Sequence, residues 1–423
     1  MKTIKNITFA ATVLAAFGSV HAADVYISGA TAYRSAANVA IAKLCGDSSV
    51  SSSTAQASVA SLKAYCTNNG TTAVTKLGDI IRGRFEYVSG GVTNNVHVSW
   101  SGSEAGIQNT AGGNDGTANV KPANFYTAAQ SGPLADTDAA DPHATHMCYS
   151  DTAQGASIFS GTKAGDGVNY AVLTGQKLGV VGFTYFVNTN TYSAGLTNMT
   201  VDLAKVLLAN GKANFSSFTG RTSDTNGQVY LVGRNIDSGT RVTTLLDMSY
   251  GSQTKVKQYL SPDTNTIYLC PTEVINGISS SQAGNSGYAS GGSIAAALAN
   301  PLTTGTNLIT STNGTSRSTF TGNHYLLGYI SAADLSGKAG VTNTTFNGVD
   351  CNTTNIINGT YSFWSYEYAY YNPSRTNSIS SAVFTALVSA ATNSSTDTAK
   401  RLVKLTEMKA TRTGDGATVT SLY

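Results

Sequence analysis

The sequence predicts an α/β protein whose strands and helices alternate and whose sheets are largely parallel. Three observations carry that prediction. Short apolar strand patterns recur, each followed by a turn of small residues and then by apolar positions at helical spacing. The chain has 423 residues, of which 41% are hydrophobic, enough for two or three domains with sizeable cores. Charged residues make up only 12% and glycines number 43, so Ser, Thr, Asn and Gly must cover the surface in place of the usual charges.

The elements follow in order. Residues 1–22 read as a secretory leader, with Lys2 and Lys5 as the basic region, an apolar stretch from Ile7 to Phe17 and small residues at Val20-His21-Ala22. That stretch is shorter than the ~20 residues a membrane span requires, so the mature chain is expected to begin near Ala23, without a span. The formal charge of +3 falls to +1 once Lys2 and Lys5 leave with it, which argues against a nucleic-acid partner bound through phosphates.

Val25, Tyr26 and Ile27 form a short strand, Ser28-Gly29-Ala30 a turn, and Thr31 opens an Ala-rich helix to about Leu44. Phe85, Tyr87 and Val88, then Val96, Val98 and Trp100, read as two strands running into Ser101-Gly102-Ser103-Glu104-Ala105-Gly106. Residues 109–142, rich in Gly, Ala, Asn and Thr, lack periodicity and are expected as a surface insertion. A short apolar segment then runs from His146 into Ser150 and Asp151. Leu178 to Val187 is continuous and apolar, the pattern of a strand covered on both faces. Thr200 caps a helix from Val201 to Ala209 with Leu203, Val206 and Leu207 inward, stopped by Asn210-Gly211. Val229 to Val232 is a strand leading through Gly233-Arg234-Asn235-Ile236-Asp237-Ser238-Gly239-Thr240 into a helix with Val242, Leu245 and Leu246. Ser279 to Gly292 reads as disordered, Tyr325 to Ile330 as a strand, and Tyr361 to Tyr371 as an aromatic strand. Ser378 to Met408 is expected to be a helical pair.

The five cysteines, Cys45, Cys66, Cys148, Cys270 and Cys351, suit an oxidising compartment if most are paired. Cys45 with Cys66 is the expected disulfide because the two flank one Ser/Gly/Thr-rich excursion, and Cys270 with Cys351 is the second candidate. No Cys-x-x-Cys spacing supports zinc, and His143-Ala-Thr-His146 lies on a loop without companion ligands.

Four turns place hydroxyls beside the backbone amides that open helices: Thr31, Ser103, Ser238 with Thr240, and Ser150 with Asp151. Taken singly, such residues are commonly helix caps. Brought together in the crevice beyond the strand ends, they supply neutral donors, helix N-termini and one guanidinium, Arg234, which suits a tetrahedral oxyanion. The lone carboxylate, Asp151, repels a fully deprotonated anion and accepts a hydrogen bond from a protonated one, which favours phosphate over sulfate.

These segments resemble the phosphate-binding proteins of ABC importers, within the type II periplasmic binding proteins. The resemblance rests on Ile27-Ser28-Gly29-Ala30-Thr31, Ser101-Gly102-Ser103-Glu104-Ala105-Gly106-Ile107, Tyr149-Ser150-Asp151 and Gly233 to Thr240, and spans most of the mature chain. It implies a two-lobed fold with two hinge-crossing strands, placed at Leu178 to Val187 and Tyr361 to Tyr371. Residues 23–182 then form the first part of lobe I, 183–362 lobe II, and 363–423 the return to lobe I with C-terminal helices. It also implies that Thr31, the amide of Ala32, Ser103, Ser150, Asp151, Arg234, Ser238, Gly239 and Thr240 hold phosphate or a similar oxyanion. The implied protein is a periplasmic or extracellular non-enzyme without cofactor, delivering its ligand to an ABC permease.

Two departures stand out. Glu104 occupies a place where a small neutral residue is usual, and Ile236 stands where a carboxylate usually accompanies the arginine, with Asp237 next to it. The low charge and the long insertion also fit a second reading, a surface or matrix protein that reuses the scaffold for adhesion or self-association.

Overall fold

The computed structural model describes residues 24–67, 76–89, 91–112, 122–161, 168–272, 283–300, 307–309, 317–319, 322–335, 338–375, 381–394 and 402–422. The expected leader lies outside them. The first half of the molecule is built from β1 (Asp24–Gly29), helix α1 (Arg34–Leu44), β2 (Leu62–Thr67), β3 (Ile80–Ser89), β4 (Val92–Ser99) and helix α2 (Ser103–Ala111). It continues through β5 (Ala123–Phe125), β6 (Gly132–Pro133), β7 (Asp141–His143) and β8 (Met147–Ser150). The long strand β9 (Thr174–Asn188) leads to helix α3 (Val201–Asn210), β10 (Lys212–Asn214), β11 (Gln228–Val232), helix α4 (Gly239–Asp247), helix α5 (Gly291–Ala299), β12 (His324–Ser331) and β13 (Val341–Asn343). The chain returns through β14 (Trp364–Tyr371), helix α6 (Ser381–Ser394), β15 (Leu402–Lys404), β16 (Ala410–Thr411) and β17 (Thr420–Ser421).

The main sheet has 13 strands in the order β10-β11-β12-β9-β14-β8-β1-β4-β3-β2-β6, with β13 and β15 also on β9. At about 3.3 Å per residue, the 15 residues of β9 reach some 50 Å and serve two groups of strands. Residues 174–182 pair with β14 and residues 179–181 also with β15, while residues 183–188 pair with β12 and β13. The partners change between Gly182 and Phe183. The α/β class matches the expectation, but the sheet is mixed. In it, β1 runs parallel to β4 and β8, β11 to β12 and β2 to β6, whereas β2, β3 and β4 form antiparallel hairpins and β9 opposes every partner.

Local differences from the sequence reading have physical causes. Helix α1 starts at Arg34, because Gly29 turns at φ 125° and Ala30 N–H is bound by Tyr149 O, which leaves Thr31 outside the helix. In α3, Thr200 Oγ1 accepts from Leu203 N–H and Gly211 closes the helix in the left-handed region, as expected. Its inward face is Ala204, Leu207 and Leu208, one residue round from the predicted stripe, and Val206 is 44% exposed. The insertion is anchored rather than superficial: α2 runs on to Ala111, β5 pairs with β7, and Phe125 is buried edge-on against Tyr26. The expected second C-terminal helix is instead β15, because Leu402 and Val403 fill the open edge of β9 beside Val181 and Val180. Tyr366, Tyr368 and Tyr370 alternate along β14 and are buried.

None of the five cysteines is in a disulfide. Cys45 caps α1 and packs on the main core, whereas Cys66 lies in a separate cluster with Ala64 and Tyr126, its thiol directed at Asp136. The Cys45–Cys66 pairing is therefore corrected, as is Cys270–Cys351. No helix among the described residues is long and apolar enough to cross a membrane.

Candidate functional site

The loops that follow β1, β4, β8 and β11 meet where the two groups of strands face each other. The parallel strands β1, β4 and β8 end at the same edge of the first half and aim Thr31, Ser103 and Asp151 outward, while β11 brings Arg234 and the start of α4 from the second half. All four named residues are buried.

Asp151 is the centre of one cluster. Ser103 Oγ donates to its Oδ1, Thr240 Oγ1 donates to Oδ2 at 3.2 Å, and its own N–H donates to Ser103 Oγ at 3.1 Å. Thr243 Oγ1 adds a bond to its carbonyl at 3.1 Å. Gly239 lies so close that an added Cβ would stand 1.8 Å from Asp151 Oδ1 and 2.6 Å from Ser103 Cβ. The carboxylate thus occupies the N-terminal end of α4, where a negative charge is favoured. Burial nevertheless pushes its acid up to about 6, opposed by the Ser103 hydrogen bond and then by the Arg234 charge.

Arg234 is the centre of the other cluster. Its side chain is 1% exposed. Nη2 donates to Thr31 Oγ1 at 3.3 Å and to Ala289 O at 2.9 Å, and Nε donates to Tyr288 O at 3.3 Å. Nη1 has no hydrogen-bond acceptor among the described residues. Burial lowers the guanidinium from its ordinary value, opposed first by Asp334 and then by Asp151, yet a guanidinium remains charged. Asp334 and Asp151, not the neighbouring Asp237, are therefore the carboxylates acting most strongly on it.

Asp237 acts through its backbone. Its carbonyl accepts from Glu104 N–H at 3.1 Å and Ala105 N–H at 3.4 Å, so the second half caps the N-terminus of α2. Glu104 is buried rather than turned to solvent: Oε2 accepts from Ser157 Oγ at 2.7 Å, and Oε1 has no partner among the described residues. Burial pushes its acid up to about 8, and the Asp151 charge adds to the rise. Near neutral pH Glu104 is therefore mostly uncharged, which removes much of the repulsion toward an anion that its identity suggests.

The remaining expected residues have local duties. Ser150 Oγ is held by Thr152, donating to its carbonyl at 2.6 Å and accepting from its N–H at 3.1 Å. Ser238 Oγ caps α4 by accepting from Arg241 N–H at 3.3 Å. Ala32 is buried in the turn before α1. The site thus brings together Thr31, Ser103, Asp151, Arg234, Gly239 and Thr240, with Ser150 and Ser238 shaping the turns.

Sequence reasoning missed the residues that hold the arginine loop. Tyr329 Oη accepts from Arg234 N–H at 3.3 Å, and Gln258 Nε2 and Arg241 Nη1 donate to Arg234 O at 3.1 and 3.3 Å. Arg241 is in turn fixed on Asn285, at 2.5 Å to its O and 2.6 Å to its Oδ1. Residues 283–290, within the segment read as disordered, supply Tyr288 and Ala289 to the guanidinium, while residues 279–282 lie outside the described residues. Gly287 allows this, since any Cβ there would stand 2.5 Å from the Arg234 backbone. The Ser290 side chain, which caps α5 by accepting from Ser293 N–H, was the available sequence signal that order begins there. No cluster of three or more His, Cys, Asp or Glu among the described residues could hold a metal ion. The histidine pair serves packing: His143 bonds Asp141 at 2.7 Å and stacks on Tyr26, whose N–H donates to His146 Nδ1 at 3.0 Å.

No protein-family model matches the chain, and no curated protein matches it. Among solved structures it is similar to one from Clostridium perfringens with bound phosphate, named as a candidate phosphate ABC transporter substrate-binding protein. Identity is 12% over 90% of this chain and 99% of that one, with a TM-score of 0.44. An ABC-type phosphate transport receptor from Vibrio cholerae is 14% identical over 84% of this chain and 88% of its own, with a TM-score of 0.39. PstS from Borrelia burgdorferi is 11% identical over 87% and 92%, with a TM-score of 0.34.

Proposed function

We propose that the protein is a solute-binding protein that clamps phosphate or a similar oxyanion between two lobes, residues 23–182 with 363–423 and residues 183–362, without performing chemistry on it. The observation that carries this reading is the buried Arg234, drawn from the second half onto Thr31 of the first, with Nη1 lacking an acceptor among the described residues. A fully buried charged donor left open is expensive, and an oxyanion oxygen is the partner it fits best. Ser103 and Thr240 stand across the junction as further donors, at present turned to Asp151. For an incoming hydrogen-bearing anion, Asp151 is the acceptor and the two hydroxyls are released to donate. On this reading the protein is secreted through its leader and hands its ligand to an ABC permease.

Calorimetric titration with phosphate and with sulfate tests this. Phosphate is expected to bind and sulfate to bind less well. Arg234→Ala should weaken phosphate binding by about 1.5 to 3 kcal/mol, tenfold to hundredfold in Kd, and Asp151→Asn should erode the preference for phosphate. No heat with either anion from a folded protein, or two variants that bind as the parent does, refutes the reading.

A further inference from the structure

Helix α4 touches the first half at both of its ends. At the N-terminal end Gly239 packs on Asp151 and Ser103, and the preceding carbonyl of Asp237 receives the Glu104 and Ala105 amides. At the C-terminal end Asp247 is held by the hairpin of β16 and β17. Arg412 Nη2 bonds Asp247 Oδ1 at 2.8 Å with both side chains buried, and the Gly416 amide donates to the same carboxylate. Gly416 also packs so tightly on α4 that a Cβ would lie 2.8 Å from Leu246 Cβ.

The hairpin is itself fastened to the first half. Arg412 Nη1 donates to Trp364 O, and the guanidinium lies 4.9 Å over the Trp364 ring. Arg412 N–H donates to Tyr366 Oη at 3.3 Å. Asp415 accepts from Ala153 N–H at 2.7 Å and from Ser365 Oγ at 3.0 Å. One short hairpin therefore joins β14 and the loop after β8 to the far end of the helix whose start closes the candidate site.

We propose that this C-terminal hairpin is a latch: separation of the two halves at the site requires Arg412 to release Asp247, so the latch governs access to the junction. The proposal rests on the clamp reading, because only a junction that opens needs a latch. Truncating one partner of a buried ion pair strands the other, so the closed form loses support at both ends of α4 together.

Hydrogen exchange on the ligand-free full chain tests it, at about pH 8, above the value of about 7 to which burial pushes the Asp247 acid. In the parent protein the Glu104 and Ala105 amides, held by Asp237 O, and the Gly416 amide, held by Asp247, are expected to exchange at one common rate, while the Arg412 amide stays protected on Tyr366 Oη within the first half. Asp247→Asn, which preserves shape and removes charge, should speed both sets together by about tenfold or more, the scale of a lost hydrogen bond to a charged group. Arg412→Ala is the second variant and should act in the same direction. Faster exchange confined to residues 410–421 in Asp247→Asn, or parent amides at 104–105 opening while the Gly416 amide stays protected, overturns the latch. No oxyanion enters the measurement, so a failure to bind phosphate bears on the clamp alone.

Discussion

Glu104 shows how far burial can reverse what a residue's identity suggests. As an ionised side chain it would sit in the helix start of α2 and repel an anion at the junction, yet burial holds its acid at about 8 and that of Asp151 at about 6. Both values lie above those of the unfolded chain, so the folded state binds these protons more tightly. The associated stabilisation is complete below about pH 4 and is lost as pH rises through about 6 and then about 8. Urea midpoints should therefore fall between about pH 6.5 and 8.5. Glu104→Gln should remove its own share of that slope while leaving the shares of Asp247, whose acid stands at about 7, and of Glu367, whose acid burial also raises well above the usual carboxylate range. An unchanged slope in the variant would contradict the assignment. At this scale the sequence was legible where a chemistry-bearing residue follows a strand: Thr31, Ser103, Asp151 and Arg234 all announce themselves so. Asp334, Gln258 and Tyr329 were not legible, because their effect on Arg234 depends on contacts made far along the chain and leaves no local pattern.

Among the elements, the turn into α2 is the most exacting. Gly102 has φ 117°, a region that L side chains rarely adopt, and an added Cβ would stand 2.2 Å from Asp237 O. Gly102→Ala is therefore expected to lose about 1 to 3 kcal/mol from backbone strain alone, with further loss as the Asp237 carbonyl is pushed off the helix start. Gly155→Ala, with nothing within 4 Å of the new methyl group, is the matched control and should unfold with the parent. Equal urea midpoints for the two variants would show that the Gly102 turn is not under this constraint. Strand and helix identities were readable where periodicity and caps agreed, as with Thr200 and Gly211 around α3. They were misread where an apolar pair could serve either period. Leu402 and Val403 became strand because β9 offered an open edge, which only the tertiary fold decides.

For the whole molecule, β9 is the organising element. Its first part belongs to the group containing β14 and β15 and its last part to the group containing β12 and β13, so one strand carries both halves. Its continuous apolar run made it visible in the sequence, but strand direction was not: β9 runs antiparallel to every partner, although alternating elements suggested parallel sheets. The pairing of β5 with β7 was hidden for a related reason, since Phe125 and Tyr126 are isolated apolar anchors in a polar stretch. Because both halves contribute donors to one junction, the proposed anion is one that the two hold together.

A crystal structure of the protein grown with phosphate tests that claim most directly. One phosphate is expected, bonded to Arg234 Nη1 and to hydroxyls of both halves, Thr31 or Ser103 on one side and Thr240 on the other, with its own hydroxyl donating to Asp151. Phosphate elsewhere, or Arg234 Nη1 still without an acceptor and Asp151 keeping Ser103 and Thr240 at saturating phosphate, would contradict it.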